Sequence, residues 1–262
     1  MVNLIKMDMR RLFISKAFII SLIVTAVVNI TLQVSTPILM KYLAPGKPYP
    51  ATQFSDFFAN PFNLALLVVM LMLISVTIFS YADISNGYIK NIAGQIPRKS
   101  DTIISKFIVI CIHNLIFMLV SVLSTMIGTF IPAAMGLVKI ENDNLLFAGI
   151  MTFFIKWLLT IAICTILLFF TTAVKNKMLA TIVGVFLGSG AMGLIYMGLN
   201  QAVNSVFKLG NFSVANYAPD QLINSVNVAR NVAVANSVIA SIVCTAVFLS
   251  LTVKVFNSRD LK

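Results

Sequence analysis

Charge is scarce in this chain, and several function classes fall with it. Only 10% of its 262 residues are charged, and the acidic side chains number 8, with Glu141 the single glutamate. There is one histidine, His113, and one tryptophan, Trp157. An intramembrane metalloprotease or glutamate-dependent protease needs paired His or Glu residues, and this inventory excludes that class. The three cysteines, Cys111, Cys164 and Cys244, stand singly, with no CxxC and no Cys–His spacing. They read as small core residues with neither a metal nor a redox role. A G-x-x-x-x-G-K-[ST] loop is missing, so nucleotide hydrolysis by that mechanism is not built into the chain, which reads as no enzyme and as carrying no cofactor of its own.

What the sequence has in abundance is hydrocarbon. Apolar residues make up 59% of it and the mean hydropathy is +0.98, too little polar surface to solvate a fold of this length in water. Stretches long enough to cross a bilayer lie at 18–40, 62–82, 107–131, 157–174, 178–199 and 232–255. Lipid requires every backbone amide to be paired within its own segment, so the expectation is an all-α membrane protein of six transmembrane helices in a single domain, 1–262. The first stretch follows Lys6, Arg10, Arg11 and Lys16, but its apolar run exceeds that of a secretory signal, so it reads as a retained anchor.

Lysine and arginine sort by side. With the amino terminus in the cytoplasm, the inner segments hold Lys6, Arg10, Arg11, Lys16, Lys90, Arg98, Lys99, Lys106, Lys175, Lys177, Lys254, Arg259 and Lys262. The outer ones hold only Lys41, Lys47, Lys139, Lys156, Lys208 and Arg230. That bias predicts a multi-pass protein of the cell membrane with both termini and the 83–106 connector in the cytoplasm. The net charge of +11 is then a topology signal and an attraction to anionic lipid headgroups, and not a sign of nucleic-acid binding.

Four segments between the apolar runs carry pattern. In 1–17, Ile5, Met9, Leu12 and Phe13 share one helical face and Lys6 and Arg10 another, as in a helix resting in the headgroup layer. The connector 83–106 spaces Ile84, Tyr88 and Ile92 by four, stops at Gly94, breaks at Pro97 and restarts at Ser100, which predicts a short helix presented to a cytoplasmic partner. On the outer side, 41–61 holds Phe54, Phe57 and Phe58 at helical spacing. The segment 201–230 has Val203, Val206 and Phe207 on one stripe and Leu222, Ile223 and Val226 after Pro219, so both read as half-immersed amphipathic pieces.

Polar residues inside the spans are few. Gly188-Ser-Gly-Ala-Met-Gly193 fits a dinucleotide fingerprint by letter only, since no strand precedes it. With Gly184 in GxxxG spacing, Gly184, Gly188, Gly190 and Gly193 read instead as a small-residue seam against another helix. His113, beside Asn114, is read as a neutral histidine bonded to a neighbouring helix, the other reading being a proton relay. Lys156 beside Trp157 reads as an outer-interface pair, the lysine snorkelling and the indole in the aromatic belt. Ser21, Thr25, Asn29 and Gln33 recur every four residues along the first span, a stripe that lipid tolerates poorly and that faces other helices or a conduit. None of the spans carries Asp or Glu apart from Asp83 at an inner edge, which argues against a secondary transporter driven by an ion gradient.

The amphipathic amino-terminal helix, the spans, the connector Asn86-Gly-Tyr-Ile-Lys-Asn with Pro97-Arg-Lys and Ser105-Lys106, and the ending Phe256-Asn-Ser-Arg-Asp-Leu-Lys together resemble the permease subunit of ABC-2 type ABC exporters. In size the chain is similar to the small permeases that export lantibiotics and phenol-soluble modulins. The resemblance implies an exporter of an amphipathic or hydrophobic substrate, a peptide before a lipid or drug. It implies that 83–104 is a coupling helix, with Ile84, Tyr88, Lys90, Ile92, Arg98 and Lys99 meeting a separate ATPase subunit that binds ATP and Mg. It further implies pairing with a second permease copy or paralogue, largely through the first and fifth spans, and re-entrant outer helices before the last span.

Overall fold

A computed structural model describes residues 1–44, 49–62, 65–85, 100–174, 176–207 and 213–258. The chain opens with α1 (Val2–Ile14), whose apolar face is covered by protein: Leu12 is fully buried, and Ile5 and Met9 pack against the core. Ser15 adopts an extended conformation that ends α1 and turns the chain into α2 (Lys16–Leu43). A capping layer follows at the end of the bundle reached by α2, made of β1 (Thr52–Gln53) and the single turn α3 (Asp56–Ala59). Then come α4 (Ala65–Ser85) and the 35-residue α5 (Ser100–Ala134). A second strand, β2 (Ile140–Glu141), precedes α6 (Leu146–Val174). The strands pair in parallel, Thr52 opposite Ile140 and Gln53 opposite Glu141, and join the two outer loops.

Beyond α6, the side chain of Asn176 accepts from the amides of Met178 and Leu179 at 2.9 and 3.4 Å, an N-cap that starts α7 (Lys177–Gly188). The next helix, α8 (Met192–Phe207), leaves at 78° to α7. Gly190, at φ +71°, supplies the left-handed residue that the corner requires. A 3₁₀ turn (Val214–Tyr217) and α9 (Pro219–Ser225) lead to α10 (Val234–Asn257).

Helices alternate up and down, so the ends of α1 and α4 and the starts of α2 and α5 share one end of the bundle. The strands, α3 and the start of α6 share the other. The closest packing partners are α10 with α6, α2 with α5 and α4 with α7. Buried serines and threonines are accommodated by their own helices: Thr125, Thr129, Thr165 and Thr252 each donate to the carbonyl four residues back, at 2.6–2.9 Å. Hydroxyls satisfied in this way need no water, which lets Ser and Thr sit inside an apolar bundle.

Among the described residues, α2, α5, α6 and α10 are long and apolar enough to cross a membrane, and the bent α7–α8 pair makes a fifth. The fifth expected span is not one straight helix. It is broken at the glycine corner between α7 and α8, while α4 (Ala65–Ser85) is a helix of 21 mostly apolar residues where the second span was expected. The helix expected at 157–174 begins eleven residues earlier, at Leu146. The outer segments fold back onto the protein. Phe57 is buried, with Phe54 edge-on to it at 5.9 Å, and Leu222, Ile223 and Val226 are buried as α9 packs on α6.

Candidate functional site

At the end where α4 stops and α5 starts, polar chemistry concentrates among buried groups. Asp8 lies in the middle of the apolar face of α1, one turn from Leu12, and is 2% exposed. A carboxylate there requires partners. The Ser105 hydroxyl donates to its Oδ2 at 2.6 Å, and Arg11 Nη1 stands 3.5 Å from Oδ1. Next to Ser105, Lys106 is also 2% exposed and donates from Nζ to the Ser80 carbonyl in the last turns of α4, at 3.0 Å. Sequence reading placed Ser105 and Lys106 in the connector region but missed Asp8. Its signal was an acidic residue interrupting the Ile5–Met9–Leu12 face. The expected coupling residues Tyr88, Lys90, Ile92, Arg98 and Lys99 lie outside the described residues. Ile84 belongs to the final turn of α4.

The stripe on α2 faces α5. Asn29, 1% exposed, donates from Nδ2 to Ser121 Oγ at 2.9 Å and to Ser124 Oγ at 3.1 Å. The Ser121 hydroxyl passes a bond to the Pro61 carbonyl, tying the outer loop to the same layer. Ser21 bonds the carbonyl of Phe18 at 2.8 Å, and Thr25 is fully buried. Gln33 packs over Gly128, where a Cβ would stand 2.8 Å from its own. Asn29 and Gln33 thus pack against α5, while Ser21 bonds within α2.

His113 sits between the rings of Phe18 and Phe117, at centroid distances of 5.1 and 5.4 Å. Its Nδ1 lies 3.1 Å from Asn114 Oδ1 and its Nε2 3.1 Å from Ser75 Oγ. An amide oxygen only accepts, so Nδ1 carries the proton and Ser75 donates to Nε2. Asn114 continues the chain from Nδ2 to Cys164 Sγ on α6 at 3.3 Å. The network joins α2, α4, α5 and α6.

Two expectations meet a different geometry. Lys156 does not snorkel at an interface: it is 4% exposed inside α6, and Nζ donates to Asn60 Oδ1 at the end of α3, at 3.4 Å. The indole of Trp157 likewise turns inward and donates to the Cys111 carbonyl at 3.1 Å. The reason is that the layer of β1 and α3 closes over this part of α6 and brings an amide oxygen to the ammonium.

The glycine seam, for its part, is filled from within one chain. Gly188 lies against the Met70 backbone of α4, and Gly184 against Leu167 of α6 and Thr77 of α4. Close helix approach is present, but these two positions are not open to a second copy. At Gly193 an added Cβ would stand 3.8 Å from the Gln221 side chain, and Gly190 forms the corner.

Two polar clasps lie away from the Asp8 cluster. Asp143 accepts from the Ser55 hydroxyl and from its amide at 3.2 Å, beside Gly149, which lies directly under the Ser55 carbonyl. Asp220, buried on α9, accepts from Tyr196 of α8 at 2.8 Å and from Gln221 at 2.9 Å. Among the described residues no cluster of His, Cys, Asp and Glu has the makings of a metal site.

Long apolar helices and a broken span mark a multi-pass membrane protein. Residues 4–190, the larger part of the chain, match the family described as ABC-2 family transporter protein, and the chain belongs to that family. No curated protein matches it significantly.

Proposed function

We propose that this protein is the transmembrane subunit of an ATP-driven exporter, itself without enzymatic activity, working with a separate ATPase subunit that binds ATP and Mg. The observation that carries the reading is the family match over residues 4–190, which takes in nearly all of α1, the connector and α7, the first half of the broken span. In this reading both termini and the 83–104 segment face the cytoplasm, and Ile84, Tyr88, Lys90, Ile92, Arg98 and Lys99 dock on the ATPase. The substrate is amphipathic or hydrophobic, a peptide in the first instance. The high apolar content supports this, because a route walled by such helices favours a cargo that carries its own apolar surface.

Pairing with a second permease copy or a paralogue belongs to the same proposal. With Gly184 and Gly188 covered by α4 and α6, the contact falls to the outward face of α2, where Ile19, Ile20, Ile23 and Val27 are exposed. The test is coexpression with a candidate P-loop ATPase subunit. The expected result is a stable complex that hydrolyses ATP, while the isolated chain hydrolyses none. Nucleotide turnover by the isolated chain refutes the division of labour.

A further inference from the structure

The contacts around Asp8 link three helices that are distant in sequence. Asp8 belongs to α1, Ser105 and Lys106 to the first turns of α5, and Ser80 to the last turns of α4. The Ser105–Asp8 bond, at 2.6 Å, is short, as hydrogen bonds to a charged acceptor are. Adjacent Lys106 reaches the opposite neighbour, the Ser80 carbonyl, at 3.0 Å. One turn at the start of α5 therefore holds α1 with one residue and the end of α4 with the next. Both Asp8 and Lys106 are 2% exposed, so the bonds are made away from water, where an electrostatic contact is strongest. Apolar packing supports them: Leu12 and Ile103 are buried in the same core.

An amphipathic helix at a membrane surface needs none of this. Its apolar face suffices to hold it in the headgroup layer, and a buried carboxylate in the middle of that face weakens such binding. The presence of Asp8 is explained when α1 is bound to protein in a fixed register.

We infer that Asp8, Ser105 and Lys106 form a latch that makes α1 and the adjoining ends of α4 and α5 one mechanical unit, with Asp8 the positioning residue that carries displacement of α4 and α5 into α1. The latch itself rests on the contacts alone; its part in transport rests on the function proposed above.

The experiment has two arms. In the first, the purified full chain in nanodiscs is followed by amide hydrogen exchange with mass spectrometry. Asp8→Asn and Ser105→Ala each speed exchange across residues 2–14 about tenfold, the change that loss of a hydrogen bond to a charged group gives, while exchange in α10 stays as in wild type. Ser105→Thr keeps the hydroxyl and keeps the protection. Unchanged exchange of residues 2–14 in both loss variants overturns the latch. Global acceleration that includes α10 also overturns it, since the residues then serve the whole fold.

In the second arm the same variants are assembled with the ATPase, and transport per ATP hydrolysed is measured. A several-fold fall with ATP hydrolysis retained supports the positioning role, and an unchanged ratio beside a loosened α1 refutes it. If the wild-type chain itself forms no complex, the exporter reading fails, while the exchange result still decides the latch.

Discussion

Replacing Gly188 by alanine tests how tightly the broken span is held against α4. A Cβ at that position would stand 2.9 Å from Met70 Cα, 2.9 Å from Met70 Cγ and 3.0 Å from Met70 N. Two of these atoms are backbone, so α7 or α4 must move. Overpacking of that kind costs about 1–3 kcal/mol. Gly→Ala in a helix returns at most about 1 kcal/mol, and less at the last residue of α7. The net is destabilisation by about 1–2 kcal/mol.

Gly184 is the internal control, one turn earlier on the same face. There a Cβ meets Leu167 Cδ1, Leu167 Cδ2 and Thr77 Oγ1 at 3.4–3.5 Å, ordinary contact with side-chain atoms. Gly184→Ala is therefore neutral or stabilising, by up to about 1 kcal/mol. Thermal unfolding of the detergent-solubilised protein, followed through Trp157 fluorescence, separates the two. At about 2–4 °C per kcal/mol for a chain of this size, Gly188→Ala lowers Tm by about 2–8 °C and Gly184→Ala leaves it level or raises it. A Gly188→Ala protein as stable as wild type refutes the argument. So does a disulfide between two copies through cysteines placed at 184 or 188, because those positions would then face a partner.

The remaining expectations follow from the stripe and the connector. Asn29→Leu removes two interhelical bonds and lowers stability by about 1–2 kcal/mol, while transport per folded molecule is unchanged if the stripe is packing; transport lost at wild-type stability restores the conduit reading. Tyr88→Ala with Ile92→Ala releases the ATPase on copurification, because each apolar anchor in a small interface contributes about 2 kcal/mol. Complex formation and transport that both survive the double change overturn the coupling assignment. Charge changes at Lys90 or Arg98 act more weakly and more strongly with salt, as exposed pairs do.

Hydropathy made the long helices legible, since α2, α5, α6 and α10 each hold an apolar run that no soluble fold of this composition supports. It was blind to direction within such a run. The residues from 178 to 199 are continuously apolar, and the corner is set by the φ of Gly190 and the covering of Gly188 by Met70, neither of which changes hydropathy. Lys156 was misplaced for the opposite reason. A lysine at the edge of an apolar run reads as a boundary, and only the tertiary approach of Asn60 makes an interior position tenable.

The polar stripe was visible from its spacing of four, but its partners Ser121 and Ser124 lie about ninety residues away and no local rule connects them. Asp8 was legible as an irregularity in a face and was overlooked because Lys6, Arg10 and Arg11 around it gave a sufficient account of the segment.

The corner in the fifth span also bears on how the chain enters a membrane. α7 has 12 residues and α8 has 16, which is about 18 and 24 Å of helix, each short of the roughly 30 Å hydrocarbon layer. Neither half is a competent stop or start for insertion by itself. The turn between them is closed locally, with the Gly193 amide on the Gly190 carbonyl at 3.0 Å and the Ala191 amide on Ser189 Oγ at 3.3 Å, so little backbone is left bare to lipid. What covers the turn is Met70 of α4, a helix synthesised more than a hundred residues earlier. The bent pair therefore reaches its native packing only when α4 is in place to receive Gly188, so its folding depends on a contact made across more than a hundred residues of sequence.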